Sequence, residues 1–260
     1  MTAATGPAVG WLGAVVAATF VGLAVLVAWR ERLGLSRDIV VASVRAFAQL
    51  AAVGLLLVFL FNRSGLWGAM AWVVVMVVVA GGVAARRAPA LPGARATATI
   101  AVACGTVVTL GLLLALQLVP AEPRYVVPIG GMVVSGSMQA SSLTMRGLVT
   151  QVQHTRAKVE AALALGLGPT QAFASPRRDA VRSAVVPAID ATRVVGLISL
   201  PGTMTGLILA GTSPLVAVRY QIVVMYLLLA ASLVASAVVS RRSSRLLFDD
   251  AERLVALHGT

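Results

Sequence analysis

Residues 66–85 read LWGAMAWVVVMVVVAGGVAA, with no charged side chain among them. A helix built from such a run is apolar on every face, so it cannot lie half-exposed on a soluble domain. About 20 helical residues cross the ~30 Å hydrocarbon layer of a bilayer. Six further apolar blocks are as long or nearly so, with Arg45 and Arg219 the only charged residues in them: 9–28, 39–61, 97–119, 125–145, 194–212 and 216–239. The sequence therefore predicts an all-α, polytopic membrane protein of about seven transmembrane helices, a single domain over 1–260. Composition agrees: 59% of the 260 residues are hydrophobic and 12% charged, against about 25% charged in soluble domains. The turn formers FNRSG, APALPGAR, VPAEPR and GTSP separate blocks. The first block lacks a basic region before it and is expected to be retained rather than cleaved as a signal peptide.

The net charge is +12. Nucleic acid is not the expected partner: the basic residues are Arg apart from Lys158, and no patch interleaves them with aromatics. They mark one side of a membrane instead. The loops 30–38, 86–97 and 146–193 and the tail from 241 hold every basic residue except Arg63, Arg124 and Arg219 on the other side and Arg45 within a span. This asymmetry predicts an N-terminus outside and a C-terminus in the cytoplasm of a cell membrane, with a cytoplasmic insert at about 146–189 and a cytoplasmic tail at 241–260.

The insert is too polar to enter lipid. QVQHTRAKVEAALAL repeats its apolar positions at helical spacing, Gly166 and Gly168-Pro169 interrupt it, and PTQAF and SPRRDAVRSAVV follow. Short helices at or below the membrane surface are expected.

The sequence has no Walker A, HExxH, GxSxG or CxxC motif. Both histidines, His154 and His258, fall in cytoplasmic segments, the acids lie near span ends or in loops, and Cys104 is the sole cysteine. No catalytic residue and no metal-ligating set can be named, and a resident cofactor is not expected.

Chemistry concentrates in the fifth and sixth blocks. Met132, Ser135, Gln139 and Ser142 fall on one face of the fifth helix. Such a face either lines a path or bonds to neighbouring helices. Arg45 and Gln49 stand one turn apart in the second block; Arg45 either snorkels to the cytoplasmic edge or meets an anionic group. In the sixth block Pro201 is expected to bend the helix beside a small-residue face of Gly202 and Gly206, which suits a hinge or close packing. Asp190 and Arg193 are expected to pair at the entry of that helix.

Residues 186–222, VPAIDATRVVGLISLPGTMTGLILAGTSPLVAVRYQI, closely resemble the matching region of the ABC-type iron-export permeases, the FetB-like proteins related to plant aluminium-tolerance permeases. PIGGMVVSGSMQASSLTMRGL and VRAFAQLAAVGLLL resemble that family's other blocks. The resemblance implies a permease subunit of an ATP-driven exporter of iron or another metal. It would work as a homodimer with a separate ABC ATPase subunit, which would bind the ATP and Mg. The insert also resembles the loop by which ABC importer permeases contact their ATPase. Glu160-Ala161-Ala162 is followed by Gly166 at the family spacing, whereas the later aliphatic-x-Leu-Pro is displaced to about Val185-Val186-Pro187. A stand-alone secondary transporter or channel, a membrane enzyme, and an ABC permease for a non-metal cargo such as a sugar nucleotide remain the alternatives.

Overall fold

The structure, a computed structural model, describes residues 10–63, 65–249 and 251–255. Val9, where the first span was expected to begin, and residues 256–260 of the tail, with His258, lie outside them. The described chain is nearly all helical: α1 (Trp11–Val16), α2 (Ala18–Arg30), α3 (Ser36–Arg63), α4 (Gly65–Arg86), α5 (Ala94–Ala115), α6 (Pro123–Ala164), α7 (Pro169–Ala172), α8 (Ala174–Val194), α9 (Gly202–Leu209) and α10 (Pro214–Leu246). Among the described residues the only β pairing is two isolated bridges, Val195 with Ser199 and Phe248 with Leu254.

Four stretches are by themselves long and apolar enough to cross a membrane: Ser36–Leu57 within α3, and α4, α5 and α10. With the apolar composition this makes the chain an integral membrane protein. The first block is interrupted at Ala17, between α1 and α2.

The centre is a bundle of α4, α5, α6 and α10 around Ala69, Val73, Leu110, Val126, Val133 and Ala231. Small residues bring these helices close. A Cβ on Gly105 would lie 3.0 Å from the carbonyl oxygen of Ala231 and 2.6 Å from Ser137 Oγ, so only glycine lets α5, α6 and α10 meet there. A second core at the arginine-rich end joins Ala84, Met145, Leu148, Phe173, Leu247 and Leu254. The α2–α3 pair stands to one side, packed mainly on itself, and the apolar stretch of α3 buries none of its residues.

Two expectations are corrected. The insert does not begin as a separate surface helix. The fifth block and QVQHTRAKVEAALA are one helix of 42 residues, about 63 Å long and twice the thickness of a hydrocarbon layer. Nothing between Met145 and Ala164 stops it, since Gly147 is held against α8, its Cβ position 3.3 Å from Ala180. The sixth block is not one bent helix. α8 ends at Val194, the chain turns through 195–201, and α9 resumes at Gly202. Gly196 adopts φ +82°, and its N–H donates to Ser199 O at 2.9 Å. Pro201, at φ −61° and ψ 145°, caps α9 rather than kinking a helix interior. A turn closed on itself between a left-handed glycine and a proline without N–H competes successfully with helix.

Candidate functional site

α8 runs antiparallel to α6. Ala180 meets Gly147 near the arginine-rich end, and Pro187, Ala188 and Thr192 of α8 face Gln139, Ser135 and Met132 of α6 across a groove. Met225, Leu228 and Ser232 of α10 close its third side, and its volume is about 660 Å³. The helical spacing of the fifth block thus brings three of its four marked residues together. Gln139 Nε2 donates to Ser135 Oγ at 3.3 Å, and Thr203 Oγ1 of α9 lies 4.0 Å from Met132 Sδ. Ser142 is buried, its hydroxyl donating to Met138 O at 2.9 Å, and it does not line the groove. Arg45 and Gln49 sit on the exposed α3, away from it.

Among the described residues no charged side chain lines the groove. Thioethers, hydroxyls and one amide supply its polarity. Among the described residues no group of three or more His, Cys, Asp or Glu is arranged to hold a metal ion. Thr192, Met225 and Ser232 could not be assigned to this groove from sequence, because their role depends on which helices meet.

A second constellation sits at the arginine-rich end, where α6 stops. Gly166 has φ +87°; its N–H donates to Leu163 O at 2.9 Å and that of Leu167 to Ala162 O at 3.1 Å. This is a Schellman closure, which requires the left-handed conformation. Glu160 accepts from Arg156 Nε at 2.8 Å, Ala161 is exposed, and Ala162 is half-buried. The tail folds back onto this end, as its isolated apolar residues Leu247, Phe248 and Leu254 could have suggested. Arg156 Nη2 donates to Leu254 O at 3.2 Å, Val255 N–H donates to Leu247 O at 2.9 Å, and Phe173 meets Phe248 edge-on with ring centroids 6.1 Å apart. Two cavities open beside this clasp. One, of about 770 Å³, is walled by Glu160, Gly166 and Arg253. The other, of about 640 Å³, has Arg177, Arg241 and Arg245 facing Asp249 and Glu252. The Asp249 carboxyl is held below the usual carboxylate range, chiefly by the Arg253 backbone amide and also by that residue's side chain.

Asp190 and Arg193 do pair, at 3.4 Å. They stand at the C-terminal end of α8, and not at the start of a helix.

The helix bundle and its long apolar stretches define an integral membrane protein. The family model described as UPF0014, an uncharacterised protein family, matches residues 11–248, and the chain belongs to that family. It is 44% identical over 229 residues to the UPF0014 membrane protein STAR2 of Oryza sativa subsp. japonica, covering 88% of this chain and 80% of the rice protein. It is 39% identical over 216 residues to Protein ALUMINUM SENSITIVE 3 of Arabidopsis thaliana, covering 82% and 78%. The probable iron export permease protein FetB of Escherichia coli K12 is 32% identical over 233 residues, covering 90% of each chain. No solved structure matches.

Proposed function

We propose that this chain is the membrane-embedded permease of an ATP-driven exporter, and that it works as a homodimer with two separate ATPase subunits. In this reading the chain crosses the cell membrane seven times, with α8 and α9 together forming a broken sixth crossing, its N-terminus outside and its arginine-rich end in the cytoplasm. The groove between α6, α8 and α10 is the transport path, and the α6 end, α7 and the folded tail are the ATPase dock.

The observation that carries this reading is the continuity of α6. One helix runs from Met132, Ser135 and Gln139 in the groove to Glu160 and the Gly166 closure at the dock. A continuous helix about 63 Å long puts groove and dock on one frame, against which a force at the dock can move α8. The cargo follows the printed name of the bacterial relative, iron export. The neutral lining suits a metal already wrapped in organic ligands better than a bare iron ion, which favours charged oxygen or imidazole donors. The same lining keeps a non-metal organic cargo, such as a sugar nucleotide, as the second reading.

Reconstitution tests it. Vesicles holding this chain should accumulate or lose cargo only when the ATPase subunit and ATP are both supplied. Transport by the chain alone, coupled to an ion gradient, overturns the proposal in favour of a secondary transporter. Chemical turnover of a substrate in detergent overturns it in favour of an enzyme.

A further inference from the structure

The two faces of α8 differ. One, with Ala184, Ala188 and Thr192, lines the groove. The opposite face carries Asp179, Arg182, Val186, Asp190 and Arg193 at helical spacing, all exposed. Its outer charges alternate in sign, and the side chains of Arg193 and Asp190 keep 74% and 56% of their surface. Depth makes this face unusual. Ala180 lies level with Gly147, and Arg146 and Arg87 flank one cavity at that same end. Asp190 is ten residues further along α8, about 15 Å, which is half of a ~30 Å hydrocarbon layer. An exposed ion pair would then face lipid at the centre of the bilayer, where charged residues occur only against protein or water.

The chain next to it makes the same demand. Residues 195–201 are non-helical at that depth, and Leu197 and Ile198 are 90% and 82% exposed. Non-helical backbone is tolerated within the hydrocarbon region only where protein covers it or water reaches it. An ion pair and an open turn, side by side, therefore both call for a cover that the described residues do not supply.

We infer that the charged face of α8 and the 195–201 turn are covered by the same face of a second copy of this chain, across a two-fold axis. This rests on the homodimeric reading above and names its interface. An isologous contact places residue i against j′ and j against i′. With two α8 helices side by side about that axis, Asp190 of each copy meets Arg193 of the other. The ATPase acts at the arginine-rich end and does not reach this depth. Gly202 and Gly206 of α9 leave open space where a side chain would stand, which lets a second copy approach closely.

Cysteine cross-linking in native membranes tests the interface. Cys104→Ala removes the only thiol of the full chain. Val186→Cys, Leu197→Cys or Ser199→Cys is then added singly, with Val107→Cys on an exposed face of α5 as the control. Oxidation should give covalent dimers at 186, 197 or 199 and none at 107. In lipid nanodiscs, D190R and R193D should each weaken dimerisation at least tenfold by native mass spectrometry, and the double swap should restore it. The cross-linking arm stands even where a charge variant fails to fold. A dimer that forms without cross-links at any of the three positions overturns the interface and leaves the homodimeric reading standing. A chain that stays monomeric in membranes and in nanodiscs, with and without its ATPase, overturns both.

Discussion

Replacing Phe173 by Ala should release the tail from the arginine-rich end. The ring is 1% exposed, in the link between α7 and α8, and meets Phe248 edge-on at 77°. Truncating a buried Phe to Ala typically costs about 3–5 kcal/mol, of which an edge-to-face pair accounts for roughly 0.5–1.5 kcal/mol. Against this, the tail keeps Leu254 and the bond from Arg156 to the Leu254 carbonyl, a charge-assisted contact worth about 1.5–3 kcal/mol. The loss exceeds what that bond supplies, so the open tail should become about a hundred- to a thousandfold more populated, at about 1.4 kcal/mol per tenfold. The amide of Val255, bonded to Leu247 O at 2.9 Å, reports the opening by hydrogen exchange. Its protection factor should fall by that ratio, while amides of α5 remain unchanged. Phe173→Leu, which retains most of the volume, should cost less than about 1.5 kcal/mol. Unchanged protection at Val255 in the Ala variant would refute the claim that this ring fastens the tail. A released tail with undiminished ATPase co-purification would remove the tail from the dock.

Gln139→Leu should lower transport while leaving ATPase co-purification intact; equal loss of both would make the side chain a packing element. Gly166→Val should weaken ATPase binding about tenfold or more and Gly166→Asn much less, because a Cβ there meets nothing within 4 Å and the penalty of about 1–2 kcal/mol is in the left-handed backbone alone. Tail protection at Val255 should depend on Asp249. Its depressed pKa stabilises the clasp fully above the ordinary carboxylate range, so protection should hold from about pH 5 to 8 and fall below about pH 4, a fall that Asp249→Ala should abolish. A disulfide between Cys substituted at 147 and 180, in the Cys104→Ala background, should lock α6 to α8 and stop transport until reduced. The Cβ positions there lie 3.3 Å apart, near the ~3.8 Å mean of disulfides, and transport at full rate by the oxidised protein would show that the two helices need not move.

Lipid made much of this fold legible. Apolar runs such as 66–85 must be helical, and α4, α5 and α10 lie where the sequence marks them. The polar face of the fifth block was legible for the same reason that helical spacing is regular: Met132, Ser135 and Gln139 share the groove. Ser142 has the same spacing but is buried, its hydroxyl bonded to Met138 O, and spacing carries no information about which neighbour covers a side chain. The end of α6 was visible in Gly166, but its continuity was not. Helical periodicity does not change at a membrane edge; only composition does, and the change at Arg146 looked like a boundary. The sixth block misled for a related reason. Pro201 announces a disturbance, yet kink and full break differ by whether Gly196 and Ser199 close a turn of their own, a local competition that hydrophobicity does not register. The positions of Asp190 and Arg193 followed that error.

The break in the sixth block changes what the long helix can do. α6 is held on three sides by α4, α5 and α10 through contacts as close as Gly105 with Ser137, so it resists displacement as part of a packed core. α8 is placed differently. It starts at Ala174, beside the Phe173 clasp, runs along the groove, and ends at an exposed turn and not in a second span. In the exporter reading, a force at the proposed dock meets one element that is fixed and another that starts beside the Phe173 clasp and ends at a turn. Under the exporter reading, relative movement of α8 against α6 is the soft coordinate, and it is the one that alters the groove they share. A continuous, merely bent sixth helix would tie that motion to the opposite membrane surface. In the same reading the turn at 195–201 uncouples α8 from α9.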